Sequence, residues 1–402
     1  LTLMNFLQYA VWGAWLISLG AYLGNTLKFD GLQIGSFFAT MGIASLFMPA
    51  VMGIIADRWI PAQRLLGLCH LFAAGFITLA ATRTDYNSLY TLVLLSVMFY
   101  MPTIALSNSV AYNALEKAGL DTVTHFPPIR VWGTVGFICA MWVVDLGKMG
   151  LSATQLYFSA TLGLILGLYS FTLPNCPINR SGGGKSIVDL LGLRAFALFK
   201  QRKMAIFFIF SMLLGMSLQI TNAFADGYIK SFGDTGIHGA KYLGTFGVEH
   251  STILISLSQI SETLCILLIP FFLKRFGIKR VMLIAMFAWV LRFALLGAGN
   301  PGPGVWMFIL SMIVYGVAFD FFNISGSLFV EKETSAAIRS SAQGVFMIMT
   351  NGLGALIGSY LAGWVVNHYG WPLSWYLFAG FSLVVAIVFA VIFKYKHDPN
   401  RI

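Results

Sequence analysis

Charge is what this chain lacks. Only 10% of its 402 residues are Asp, Glu, Lys or Arg, where a soluble domain carries about a quarter. With 58% hydrophobic and 15% aromatic residues and a mean hydropathy of +0.81, the two or three globular domains that the length allows could not be clothed against water. Most of the chain faces lipid. Cysteine is scarce too: Cys69, Cys139, Cys176 and Cys265 are scattered, three of them in apolar runs, which excludes a disulfide framework and a Cys-x-x-Cys site. The six histidines form no His-Glu-x-x-His and no i, i+4 pair, and no Gly-x-Ser-x-Gly elbow occurs. No enzyme, metal site or cofactor is therefore expected. The net charge of +10 would suit nucleic acid only if it formed one basic face; the basic residues fall instead in short loops, so no nucleic-acid partner is expected.

What the chain does have is long apolar runs. At about 20 apolar residues per span, spans lie near 2–27, 33–56, 64–82, 88–114, 127–147 and 152–174, then near 204–229, 250–273, 280–299, 304–330, 336–366 and 372–394. Unbroken apolar segments of this length must bond their backbone internally, and they show no ten-residue alternation of barrel strands. The reading is an all-α polytopic membrane protein of twelve transmembrane helices. The first run is long enough to span, so it is not a cleavable signal, and a start at Leu1 rather than Met implies a few trimmed residues. The domain expectation is an N-terminal six-helix bundle at 1–174, a cytoplasmic linker at 175–203 and a C-terminal six-helix bundle at 204–402.

With the N-terminus inside, 18 of the 23 Lys and Arg outside the spans fall on the inner side, which places both termini in the cytoplasm. The halves also repeat. Tyr100, Asn108, Glu116 and Lys117 match Tyr315, Asn323, Glu331 and Lys332 at an offset of 215, and Ile129, Arg130 and Phe137 match Ile338, Arg339 and Phe346 at an offset of 209. Two six-span halves with a linker between them resemble the major facilitator fold. Gly53-Ile-Ile-Ala-Asp57-Arg58 then looks like that fold's charged turn after span two, with Asp57 and Arg58 as gating residues. Ser181-Gly-Gly-Gly-Lys185-Ser186 imitates a phosphate loop but lacks its first glycine and preceding strand, and is read as linker. The pairs Gly20/Gly24, Gly163/Gly167 and Gly354/Gly358 are read as close helix packing.

Polar groups inside spans are expensive and point to function. Of fifteen acidic residues, Glu262 and Asp320 lie deep in apolar runs. Asp145 and Asp226 lie near outer span ends, where water would reach them. Arg292, deep in span nine, is a candidate counter-charge to one deep acid. Gln259 and Glu262 are i, i+3 on one helix face, as are Gln219 and Asn222. Tyr315, Phe319 and Asp320 share a side of span ten, and Arg130, Thr134 and Phe137 follow i, i+4, i+7 on span five. Amides, a carboxylate and aromatic faces suit a neutral, planar, hydroxyl-rich ligand; the bland alternative is bonding between helices. Pro127 and Pro128 suit a helix start, which places Arg130 in a first turn, either at the site or as a cytoplasmic basic residue like Arg339.

Phe126-Pro-Pro-Ile-Arg130 with Trp132-Gly-Thr134, Leu218-Gln-Ile-Thr-Asn222, Ser258-Gln-Ile-Ser-Glu262 and Phe319-Asp-Phe-Phe-Asn-Ile-Ser-Gly326 carry a resemblance to the nucleoside:proton symporters of the major facilitator superfamily, over nearly the whole chain. The resemblance implies proton-driven, alternating-access uptake of nucleosides bound between the two bundles, by a monomer in a bacterial inner membrane. It implies that Arg130, Thr134, Phe137, Gln219, Asn222, Gln259, Glu262, Tyr315 and Phe319 bind substrate. Asp320 is expected to carry the transported proton, with Glu262 holding ribose or sharing the proton role. The chain departs from the family pattern at Ala225-Asp226, where Gly-Asn is expected, and at Met216-Ser217, where a smaller pair is expected; both bear on purine against pyrimidine preference. A proton-coupled sugar symporter and a non-translocating receptor are the alternatives.

Overall fold

A computed structural model describes residues 1–178, 188, 192–335 and 338–396. Among these residues all regular structure is helical. The first half contains α1 (Thr2–Gly13), α2 (Gly31–Arg58), α3 (Ala62–Ala81), α4 (Tyr86–Lys117), α5 (Thr122–Leu146) and α6 (Thr154–Ser170). The second contains α7 (Arg202–Gly215), α8 (Ile220–Ser231), α9 (Ser251–Ile266), α10 (Ile269–Ala298), α11 (Val305–Glu333), α12 (Arg339–Met347), α13 (Ala355–Tyr369) and α14 (Leu373–Ile392). Among the described residues, nine helical stretches are long and apolar enough to cross a membrane.

Each expected span coincides with helix, but several helices are interrupted in ways hydropathy does not register. The first span breaks after α1 and resumes at Leu19, ending in a π-helical turn at Tyr22–Thr26. The seventh breaks between Gly215 and Ile220, and the eleventh carries a π-helical turn at Ile348–Gly354. Span eight runs through α9 into the start of α10, and the chain turns at Gly277, whose φ of 81° lies in the left-handed region that a side chain disfavours. Helix starts follow local hydrogen bonding. Asp30 and Gln33 form a reciprocal capping box, with Gln33 N donating to Asp30 Oδ1 at 2.8 Å and Asp30 N to Gln33 Oε1 at 3.1 Å. Asp85 caps α4 by accepting from Ser88 N at 3.0 Å, and the hydrogen bonds from Ser88 hold its carboxyl below the usual carboxylate range.

The chain divides into two compact units: Leu1–Phe29 with Thr40–Leu191, and Asp30–Ala39 with Gly192–Ile402. In the first unit, α1 packs on α5 and α6, and α3 packs on α4 and α6. Gly163 and Gly167 lie against α3. Beyond α6, Gln63 Nε2 donates to Asn175 Oδ1 at 2.8 Å and Gln63 Oε1 accepts from Cys176 N at 3.0 Å. In the second unit, α10 packs on α11 and α14, and α11 on α9. Gly354 and Gly358 approach the backbone of Met212 and Met216. The first turns of α2 belong to this unit, where Gly31 N donates to Asn367 Oδ1 at 2.5 Å. The phosphate-loop mimic at 181–186 lies outside the described residues.

Candidate functional site

In the second unit, the break between α7 and α8 delivers Gln219 and Asn222 together. Gln219 is the residue before α8, and its Oε1 accepts from Asn222 Nδ2 at 3.1 Å. The amides therefore act as a linked pair, joined by this one hydrogen bond. On α9, Ser258 Oγ donates to Met312 Sδ at 3.1 Å and Ser261 Oγ to the Ile313 carbonyl. These bonds seat one face of α9 on α11, and they leave Gln259 and Glu262 half-buried beside it.

On α11, one helical turn brings Tyr315 and Phe319 into a stack, ring centroids 5.6 Å apart and planes 12° from parallel. Asp320 follows, 4% exposed, and its Oδ2 is buried without a hydrogen-bond partner among the described residues. Glu262 and Asp320 lie within electrostatic reach of each other, and Tyr315 within reach of both. An unpaired charge in such a place is expensive. The arrangement can accept a proton, and it can offer hydrogen bonds and a π-face to a neutral polar ligand.

Arg292 does not supply the expected counter-charge. Its guanidinium, 2% exposed, donates from Nη1 to the Ser311 carbonyl at 2.8 Å and lies 4.7 Å from the Tyr315 ring centroid. No carboxylate among the described residues stands at ion-pair distance from it. Asp226 also departs from expectation: rather than reaching water it is 1% exposed. It accepts from Lys230 Nζ at 2.5 Å, Ser251 Oγ at 2.6 Å and Thr252 Oγ1 at 3.1 Å. The start of α9 folds over the end of α8 and closes this position.

In the first unit, α1 and α5 touch backbone to backbone because Gly136 leaves no room for a Cβ, which would lie 2.1 Å from the Phe6 carbonyl oxygen. This approach sets Arg130 over the Tyr9 ring, 3.9 Å from its centroid, and Phe137 edge-on to Trp12 at 6.4 Å. Helix α5 begins at Thr122, five residues before the first proline, so Arg130 does not occupy a first turn. Asp121 starts the helix, its carbonyl accepting from His125 N at 3.0 Å and its Oδ2 from Thr124 Oγ1 at 2.7 Å. The prolines are carried inside α5, and Arg130 lies in its third turn. Thr134 is half-buried on the same helix. Asp57 and Arg58 form the last turn of α2, with Asp57 exposed.

One cluster escaped the sequence reading. Gln8 Oε1 pairs with His70 Nε2 at 2.7 Å, Gln8 Nε2 donates to Thr103 Oγ1 at 2.8 Å, and Tyr100 Oη donates to the Gln8 carbonyl at 2.6 Å. Trp12 rests on Tyr100 at 5.7 Å. The cost of burying polar groups in a span, used above to select acids, would have selected Gln8 and His70 as well.

Comparison with known proteins adds to this geometry. The family model described as nucleoside H+ symporter matches residues 1–398. The chain is 51% identical to the nucleoside permease NupG of Escherichia coli, over 99% of this chain and 96% of that one. It is 50% identical to the xanthosine permease of Escherichia coli, over 100% and 97%. The crystal structure of the nucleoside transporter NupG superimposes with a TM-score of 0.91 at 51% identity, covering 98% of both chains. The chain belongs to the nucleoside H+ symporter family.

Proposed function

We propose that this protein takes up nucleosides across a bacterial inner membrane, driven by co-transported protons, through alternating access. The observation that carries the proposal lies in the second unit. The paired amides of Gln219 and Asn222, Gln259 beside them in kind, the stacked Tyr315 and Phe319, and the unpartnered carboxylate oxygen of Asp320 match a planar base, ribose hydroxyls and a proton. The names of the half-identical relatives support the same substrate class.

Arg130, Thr134 and Phe137 complete the substrate set from α5, and Glu262 binds ribose. Asp320 carries the proton. Its protonation removes a buried charge, which lets substrate bind and lets the protein change its facing. A membrane potential of 100 mV contributes about 2.3 kcal/mol per charge, enough for a roughly fifty-fold gradient. Asp57 and Arg58 serve as gating residues at the inner end of α2, both termini are cytoplasmic, and the protein works as a monomer with a linker at 175–203 between bundles at 1–174 and 204–402.

Purified protein in proteoliposomes carrying a proton gradient tests this. Uridine, adenosine or xanthosine should accumulate, a protonophore should abolish accumulation, and glucose should neither accumulate nor compete. Glucose accumulation would place the protein among sugar symporters, and binding without counterflow of labelled nucleoside would make it a receptor.

A further inference from the structure

We propose that Arg292 is a positioning residue for substrate binding: its buried charge holds the face of Tyr315 and so leaves the Tyr315 hydroxyl free for the ligand. The proposal rests on the nucleoside reading of the site given above. The guanidinium is almost fully buried in α10, its Nε has no hydrogen-bond partner, and no carboxylate among the described residues pairs with it. An unpaired charge in this setting is a large standing cost, which the hydrogen bond to the Ser311 carbonyl, with a weak contact to Met312 Sδ at 3.8 Å, does not repay. A neutral donor could make that bond. What a neutral donor could not do is attract the negative face of an aromatic ring, and the ring beside it is Tyr315, at 4.7 Å.

The ring is clamped from several directions. Trp289, one turn earlier on α10, meets it edge-on at 6.0 Å and 88°, and Phe319 stacks on it at 5.6 Å. The duplicated half supplies a contrast. Tyr100, at the repeat position in the first unit, lies beside the ring of His70 at 5.9 Å and is pinned by its hydroxyl, which donates to the Gln8 carbonyl at 2.6 Å. The Tyr315 hydroxyl makes no hydrogen bond among the described residues. Both rings have aromatic neighbours, but Tyr100 is also fixed through its oxygen, whereas Tyr315 is held through its ring alone. Only the second keeps its oxygen available, and it is the one beside Glu262 and Asp320.

The test is a double-mutant cycle on nucleoside transport in proteoliposomes, with Arg292→Gln, Arg292→Lys, Tyr315→Ala and the combined variants, each first checked for a monodisperse, cooperatively melting protein. Arg292→Gln should raise KM for uridine by about 2- to 30-fold, the range from an exposed to a desolvated cation–π contact, with Vmax within about twofold. Arg292→Lys, which keeps the charge, should recover part of the loss. In the Tyr315→Ala background, Arg292→Gln should add less than about twofold, because the ring it acts through is gone. An equal factor in both backgrounds, or an unchanged KM in Arg292→Gln, overturns the proposal. If Arg292→Gln does not fold, Arg292→Met, which also removes the charge, with and without Tyr315→Ala, is judged by the same criteria. A Tyr315→Ala variant with parental KM overturns the substrate reading of Tyr315 itself, and with it this proposal, and is distinguishable because it needs no Arg292 variant.

Discussion

Removing the carboxylate of Asp226 gives the sharpest stability test. The side chain is 1% exposed and accepts from three donors, two of them hydroxyls on α9. Asp226→Ala leaves Lys230 without its partner and two hydroxyls unmatched. Breaking a buried pair by deleting one member costs about 3–5 kcal/mol. The Lys230 side chain keeps 17% exposure and can extend its ammonium toward water, so about 2–4 kcal/mol is expected here. At about 2–4 °C per kcal/mol for a unit of some 200 residues, the melting temperature in detergent should fall by roughly 4–16 °C. Asp226→Asn retains an acceptor for the hydroxyls and should fall less. Asp226→Ala with Lys230→Ala removes the stranded cation and should melt above Asp226→Ala alone. Parental melting of Asp226→Ala, or a double variant less stable than the single one, would refute the view that α8 and α9 are joined through this charge.

Asp320→Asn should abolish protonophore-sensitive accumulation while calorimetry still detects nucleoside binding; retained accumulation would move the proton to Glu262 or elsewhere. Because Gln219 and Asn222 bond each other, Gln219→Ala and Asn222→Ala should each weaken binding about 2- to 13-fold, and the double variant should lose less than the product of the two. Lys185→Cys in intact cells should resist a membrane-impermeant thiol reagent, and its labelling would reverse the proposed orientation. The hydrogen bonds from Ser88 lower the pKa of the Asp85 cap of α4, so its contribution is present above the unfolded carboxylate pKa and lost as pH falls through the lower folded value. Asp85→Ala should therefore lower the melting temperature at neutral pH, and its difference from the parent should shrink in strong acid.

Hydropathy made the spans legible because lipid demands it of every turn, and i, i+3 spacing grouped Gln259 with Glu262 because a helix face is a local property. The breaks at 14–18 and 216–219 were not legible. Ala14-Trp-Leu-Ile17 and Met216-Ser-Leu218 are as lipid-compatible as the helices around them, and hydropathy senses burial rather than dihedral angles. Pro127 and Pro128 do not mark the start of α5, because the helix begins earlier, just after Asp121, whose carbonyl accepts from His125 N. Asp226 was read as wet because its distance from a span end is local, whereas Ser251 and Thr252 that cover it are 25 and 26 residues away. Arg292 was matched to an acid by sign alone; an aromatic face can also hold a cation, and nothing in the sequence says which neighbour a buried charge meets.

The hydrogen bonds from Gln63 to Asn175 and Cys176 bear on how the gene could be divided. A cut after residue 174, where the apolar run ends, would separate Gln63 from both of its partners, Asn175 Oδ1 and Cys176 N, and would leave a buried amide unsatisfied in the N-terminal fragment. Moving the cut beyond residue 178 keeps those partners on the fragment that needs them. Co-expressed halves made at the later site should assemble in higher yield than halves made at the earlier one, although the two cuts differ only in where Asn175–Ile178 fall.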